Sequence, residues 1–123
     1  MGLVRIVFLA VALATGVTSV AVRAQDNQPL TGPEIRTLIA GNTVKGPYYT
    51  EFFDADGSVR GIEQGQKYTG KWRIDSDRLC VDFPDHDYTN CAWVARQSGS
   101  DYAFMDGQFT NTRTVLAGNP ENL

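Results

Sequence analysis

The densest group of side chains able to do chemistry is Asp82-Phe83-Pro84-Asp85-His86-Asp87, three carboxylates around the only histidine of the chain. Such a set can hold a divalent cation. Its spacing departs from a calcium hand, which alternates oxygen ligands and ends on a glutamate. A solvated hairpin loop accounts for the same residues, because Pro and Asp are turn formers. We prefer the loop and keep a metal site at Asp82, Asp85, His86 and Asp87 as the alternative. Asp54-Ala55-Asp56-Gly57 echoes the start of a calcium loop, but Ser58, Arg60 and Ile62 stand where further ligands would fall. It reads as a hairpin turn.

Catalysis finds little support in the residues. A Ser-His-Asp triad would need His86, and no Gly-x-Ser-x-Gly elbow or Gly-x-Gly-x-x-Gly turn is present. Fourteen acidic residues always offer a carboxylate pair, so a pair alone does not argue for a glycosidase. The reading is a non-enzyme with no cofactor.

Cys80 and Cys91 are the only cysteines, and an even count in a small exported domain favours a disulfide. If Pro84–Asp87 is a four-residue loop, Phe83 faces Tyr88, Val81 faces Asn90, and Cys80 falls opposite Cys91. Opposed residues at a non-hydrogen-bonded pair lie within bridging range. A redox pair would want Cys-x-x-Cys, and a zinc site wants four ligands.

Aromatic residues supply the last candidate. Strand alternation puts Tyr48 and Phe52 on one face and Tyr49 and Phe53 on the other. Both faces cannot be the same core, so one pair is exposed, covered, or part of a binding surface. Together with Asp85, His86 and Asp87, these four form the candidate binding surface.

The elements that must position these groups are short. Thr31 followed by Glu34 is a capping box, Pro33 suits a first turn, and Ile35, Leu38 and Ile39 share one face. They predict a helix of about nine residues ending at Gly41. The rest reads as β, with strands at Tyr48–Phe53, Ser58–Glu63, Lys67–Asp75, Arg78–Phe83, Tyr88–Arg96, Asp101–Met105 and Gln108–Leu116. Turn signals separate them every 8–12 residues. About seven strands in one small domain predict an antiparallel meander or up-and-down barrel, closed to remove its edges.

Residues 1–24 carry Arg5, an apolar run Ile6–Val22 and a small-residue end at Ala24, the pattern of a cleaved signal peptide. The expected organisation is therefore leader 1–24, flexible segment 25–30 and one domain over 31–123, sited in the periplasm or secreted. Arg5 and Arg23 leave with the leader, and the net charge moves from −3 to −5. An acidic chain is repelled by phosphate backbones, which argues against nucleic acid. No membrane contact is expected after cleavage.

The segments Thr31–Arg36, Ala40–Val44, Phe53–Gly61, Tyr68–Ile74, Leu79-Cys80, Cys91-Ala92-Trp93 and Gly118-Asn119-Pro120 resemble a family of small exported α-proteobacterial proteins of uncharacterised function. That resemblance implies a bacterial periplasmic home and a Cys-stapled β-meander with a short helix, and it implies no catalytic residue. In scale and build the chain is also similar to periplasmic lysozyme inhibitors, an analogy of architecture.

Taken together, the sequence predicts a binding or inhibitor protein acting through a rigid β domain on an unidentified protein or small molecule. A basic partner such as a cell-wall hydrolase suits its charge. The alternatives are a small-ligand carrier with an apolar cavity, a cell-envelope structural or stress protein, and the metal binder.

Overall fold

Eight antiparallel strands close on one another in chain order in the computed structural model, which describes residues 28–123. They are β1 (Asn42–Lys45), β2 (Tyr49–Phe53), β3 (Ser58–Glu63), β4 (Gln66–Asp75), β5 (Arg78–Phe83), β6 (Tyr88–Ser98), β7 (Asp101–Asp106) and β8 (Phe109–Leu116), preceded by the helix α1 (Gly32–Ile39). The barrel is the up-and-down architecture expected. The leader at 1–24 lies outside the described residues.

Three details differ from the sequence expectation. Closure needs an eighth strand, β1, whose Asn-Thr-Val-Lys carries one apolar residue and no alternation to read; it pairs with β2 on one side and β8 on the other. The helix is eight residues long, one short of expectation. The segment expected to be flexible up to residue 30 is pinned at its end, because Pro29 bridges Ala95 and the Leu30 N–H donates to the Val94 carbonyl at 2.7 Å.

Alternation decides what each strand buries. Phe53, Val59, Trp72, Leu79, Val94 and Phe104 point inward and form the core. Phe53 and Trp72 meet edge-to-face with centroids 6.2 Å apart. One end of this core is closed by α1. Thr31 caps it through the Glu34 N–H, and Glu34 returns a bond to the Thr31 N–H at 2.8 Å. Ile35 and Ile39 are fully buried, and such side chains each contribute roughly 1.5–3 kcal/mol on leaving water. The Gly32 N–H donates to Asp77 Oδ1 at 2.6 Å, tying the helix start to the β4–β5 turn. Arg36 lies over the Trp72 ring at 5.1 Å.

The turns β1–β2, β3–β4, β5–β6 and β7–β8 gather at the opposite end, which among the described residues carries only a short 3-10 turn, Pro84–His86, in the β5–β6 connection. The Cys80–Cys91 disulfide joins β5 to β6 on the outer wall, in the register expected, with Phe83 opposite Tyr88 and Val81 opposite Asn90.

Candidate binding cleft at the open end of the barrel

Towards the open end the inward positions change character. Phe53 on β2 is followed outward by Glu51 and Tyr49, Val59 on β3 by Gly61 and Glu63, and Phe104 on β7 by Asp106. Tyr68 of β4, Phe83 of β5, Asn90 of β6 and Arg113 of β8 complete the ring. These side chains line a cleft of ≈ 430 Å³, with His86 and Tyr88 at its edge.

Glu51 forms the floor and is buried, accepting a 2.8 Å hydrogen bond from the Tyr68 hydroxyl. Burial pushes its carboxyl above the usual carboxylate range, against the Tyr68 hydrogen bond and the Arg113 charge, which favour ionisation. Burial likewise pushes the Tyr49 phenol up to about 12, opposed by Arg113. Tyr68 is raised too, by burial first and then by the Glu51 charge.

Arg113 stacks over Phe104 at 4.6 Å and Tyr49 at 5.3 Å. Asp106 is oriented by Asn90, whose Nδ2 donates to Asp106 Oδ2 at 2.8 Å. Three buried polar atoms of the lining, Tyr49 Oη, Asp106 Oδ1 and Arg113 Nε, have no hydrogen-bond partner. Each such atom costs about 1–3 kcal/mol in a folded interior, where aliphatic side chains would cost nothing. Departures of this kind from the best-packed core collect at functional sites.

The sequence candidates scatter around this cleft. Tyr49 is in its wall and His86 at its edge, while Phe53 is core. Tyr48 is 72% exposed on the β1–β2 turn. Phe52 faces outward beneath Arg60, 5.0 Å from its ring. Asp85 and Asp87 are exposed on the β5–β6 tip. Asp82 points outward, because Val81 and Phe83 on either side of it point in. It accepts from Thr89 Oγ1 at 2.6 Å, with Arg73 3.7 Å away. Among the described residues no three His, Cys, Asp or Glu side chains converge as a metal site would require.

Glu51, Glu63, Tyr68, Asn90, Asp106 and Arg113 escaped the sequence reading as site residues. Their signal was present: Glu51 shares its parity with Phe53, Asp106 with Phe104, and Arg113 with Val115. A charge on the apolar face of a strand marks a polar patch inside the barrel.

A second hollow, ≈ 460 Å³, runs beside α1 between Leu30, Glu34, Leu38 and Arg96. Its one carboxylate, Glu34, is committed to the capping box, so fewer free polar groups converge there.

Fold and cleft together define a small closed β-barrel with a mixed-charge hollow at its open end. Comparison with protein-family models, with curated proteins and with solved structures finds no match. The disulfide is consistent with an oxidising extracellular compartment. No helix among the described residues is long and apolar enough to cross a membrane.

Proposed function

We propose that this protein is a non-catalytic binding protein of the periplasm, or of the medium into which it is secreted, and that it takes its ligand at the open mouth of the barrel. The observation that carries this reading is the inward placement of Glu51, Asp106 and Arg113 in a hollow of small-molecule size. The disulfide supports an oxidising site of action, as does the leader read in the sequence. Both cysteines are spent in that disulfide, and among the described residues no Ser or Thr hydroxyl is hydrogen-bonded to His86. This favours binding over nucleophilic catalysis. The lining sets charged side chains among aromatic ones, unlike the purely apolar cavity considered for a carrier.

The test is nuclear magnetic resonance of the isotope-labelled protein, purified in its oxidised exported form and titrated with a periplasmic extract. Amide shifts confined to the residues around Tyr49, Asn90, Asp106 and Arg113 would support the mouth as the binding surface. Shifts confined to the α1 end, or none, would overturn it.

A separate observation favours a second reading, inhibition of a basic cell-wall hydrolase. Of four exposed large hydrophobic side chains among the described residues, three (Tyr48, Tyr88 and Phe109) stand at the open end, on or beside three different turns. With Asp85 and Asp87 they make an acidic, aromatic rim of the kind that meets a basic protein surface. An activity assay with a lysozyme-type hydrolase decides it. Inhibition that weakens when Tyr88→Ala and Phe109→Ala are combined supports the reading, and full activity at high molar excess rejects it.

A further inference from the structure

The charges inside the mouth do not neutralise one another. Arg113 is the only Arg or Lys of the lining, and Glu51, Glu63 and Asp106 line the same hollow. Among the described residues, ion pairs within 4.0 Å join Lys45 to Glu121, Arg60 to Asp54 and Arg73 to Asp82, all outside the barrel. Arg113 has no carboxylate within that distance.

Two aromatic rings hold the guanidinium instead, Phe104 at 4.6 Å and Tyr49 at 5.3 Å. Asp106 is fixed separately by Asn90 at 2.8 Å. Arg113 of β8 is thus held by rings on β2 and β7, and Asp106 of β7 by a side chain on β6, so each pole has its own partners rather than the other pole. Each also retains an unpartnered polar atom, a donor at Arg113 Nε and an acceptor at Asp106 Oδ1, and the Tyr49 hydroxyl is unpartnered beside them.

A lone anion gains at Arg113 but is repelled by the more numerous carboxylates, and a lone cation gains at the carboxylates but is repelled by Arg113. A ligand carrying both charges gains at both. Beside the poles, Phe83 and Tyr88 stack with centroids 6.3 Å apart and planes 16° apart, an apolar wall for whatever lies between the charges and solvent.

We infer that the mouth binds a small aminocarboxylic acid with an apolar side group. Its carboxylate sits against Arg113 and the Tyr49 hydroxyl, its ammonium against Asp106, and its side group on the Phe83–Tyr88 pair. This deepens the proposed function and rests on the mouth being the binding surface.

A matched set of three probes tests the inference on the unaltered protein: phenylalanine, phenethylamine, which lacks the carboxylate, and hydrocinnamate, which lacks the ammonium. Phenylalanine is expected to move the mouth amides, with both half-molecules binding about tenfold more weakly or worse, a loss of roughly 1.4 kcal/mol for the missing pole. Arg113→Gln should erase the advantage over phenethylamine, and Asp106→Asn the advantage over hydrocinnamate, in variants whose spectra remain dispersed. Equal binding of phenylalanine and either half-molecule overturns the inference, as does silence from all three at millimolar concentration. If the probes are silent while periplasmic extract moves the same amides, the zwitterion assignment falls and the mouth remains the binding surface. Silence in both experiments removes both.

Discussion

The Tyr68 hydroxyl reaches Glu51 Oε1 at 2.8 Å across an intervening strand, and it can do so because residue 61 of that strand is glycine. Glu51, Gly61 and Tyr68 stand in register on β2, β3 and β4. The Tyr68 ring lies over Gly61, where a Cβ would come within 2.3 Å of a ring carbon. Gly61→Ala therefore cannot keep the ring where it is. The substitution should destabilise the fold by about 1–3 kcal/mol, as overpacking does, and deprive Glu51 of its hydrogen bond. Urea denaturation gives the first effect, and a loss of stability well below 1 kcal/mol would show that the ring is not so held.

The pH dependence of stability should carry a signature of Glu51. Burial raises its carboxyl above the ordinary value of 4.5. The folded chain thus holds a proton that the unfolded chain gives up. The stabilisation is complete below the unfolded value and is lost as pH rises through the folded one. Glu51→Gln imitates the protonated side chain and still accepts from Tyr68. The variant should match the parent in acid and exceed it at neutral pH, in denaturation curves recorded from about pH 4 to pH 8. A parent that is the more stable at neutral pH would show that the ionised carboxylate is well paired.

The disulfide should matter for stability far more than for the mouth. Cys80 and Cys91 are 11 residues apart in sequence, on the outer wall. Constraining a loop of that size in the unfolded chain is worth roughly 3 kcal/mol in the chain-entropy model. Replacing both by Ala should lower the Tm by roughly 10–20 °C for a domain of this size. Ligand binding at temperatures where the variant is folded should survive, since both sulfurs lie outside the barrel. A melting curve with and without reductant reads the same quantity in the unaltered protein.

Much of the barrel was legible because its strands follow simple rules. Cys80 opposite Cys91 followed from counting back from the Pro84–Asp87 loop. That Phe52 and Phe53 lie on opposite faces followed from a period of two, but which of the two faces was core, the one that holds Phe53, did not. β1 was illegible because Asn42–Lys45 is held by pairing on both sides and by Thr43 Oγ1 bonding to the Gly118 carbonyl at 2.7 Å, contacts that no local pattern announces. The cleft was hidden for a related reason. Tyr49, Tyr68, Asp106 and Arg113 are separated by 19, 38 and 7 positions in the numbering, and only closure of the barrel brings them to one hollow. The acidic loop looked more chemical than it is because Asp82 is engaged by Thr89 and Arg73 on the outer wall while Asp85 and Asp87 stand exposed on the tip.

The two ends of the barrel should respond independently to substitution. The closed end depends on α1, whose start is fixed twice: by the capping box of Thr31 and Glu34, and by the Gly32 N–H donating to Asp77 Oδ1 at 2.6 Å. Gly32 is itself confined, since a Cβ there would approach Ile74 Cγ2 within 2.8 Å, so the helix start sits hard against β4. Thr31→Ala removes one acceptor and should cost about 1 kcal/mol. Asp77→Ala leaves the part-buried Gly32 N–H without its partner and should cost about 1–3 kcal/mol. Neither residue lines the mouth, so the spectrum of Tyr49, Asn90, Asp106 and Arg113 should stay unchanged while hydrogen exchange at Ile35 and Ile39 accelerates. If exchange instead rises equally at both ends, the helix is not a separate plug, and closed and open ends unfold as one unit.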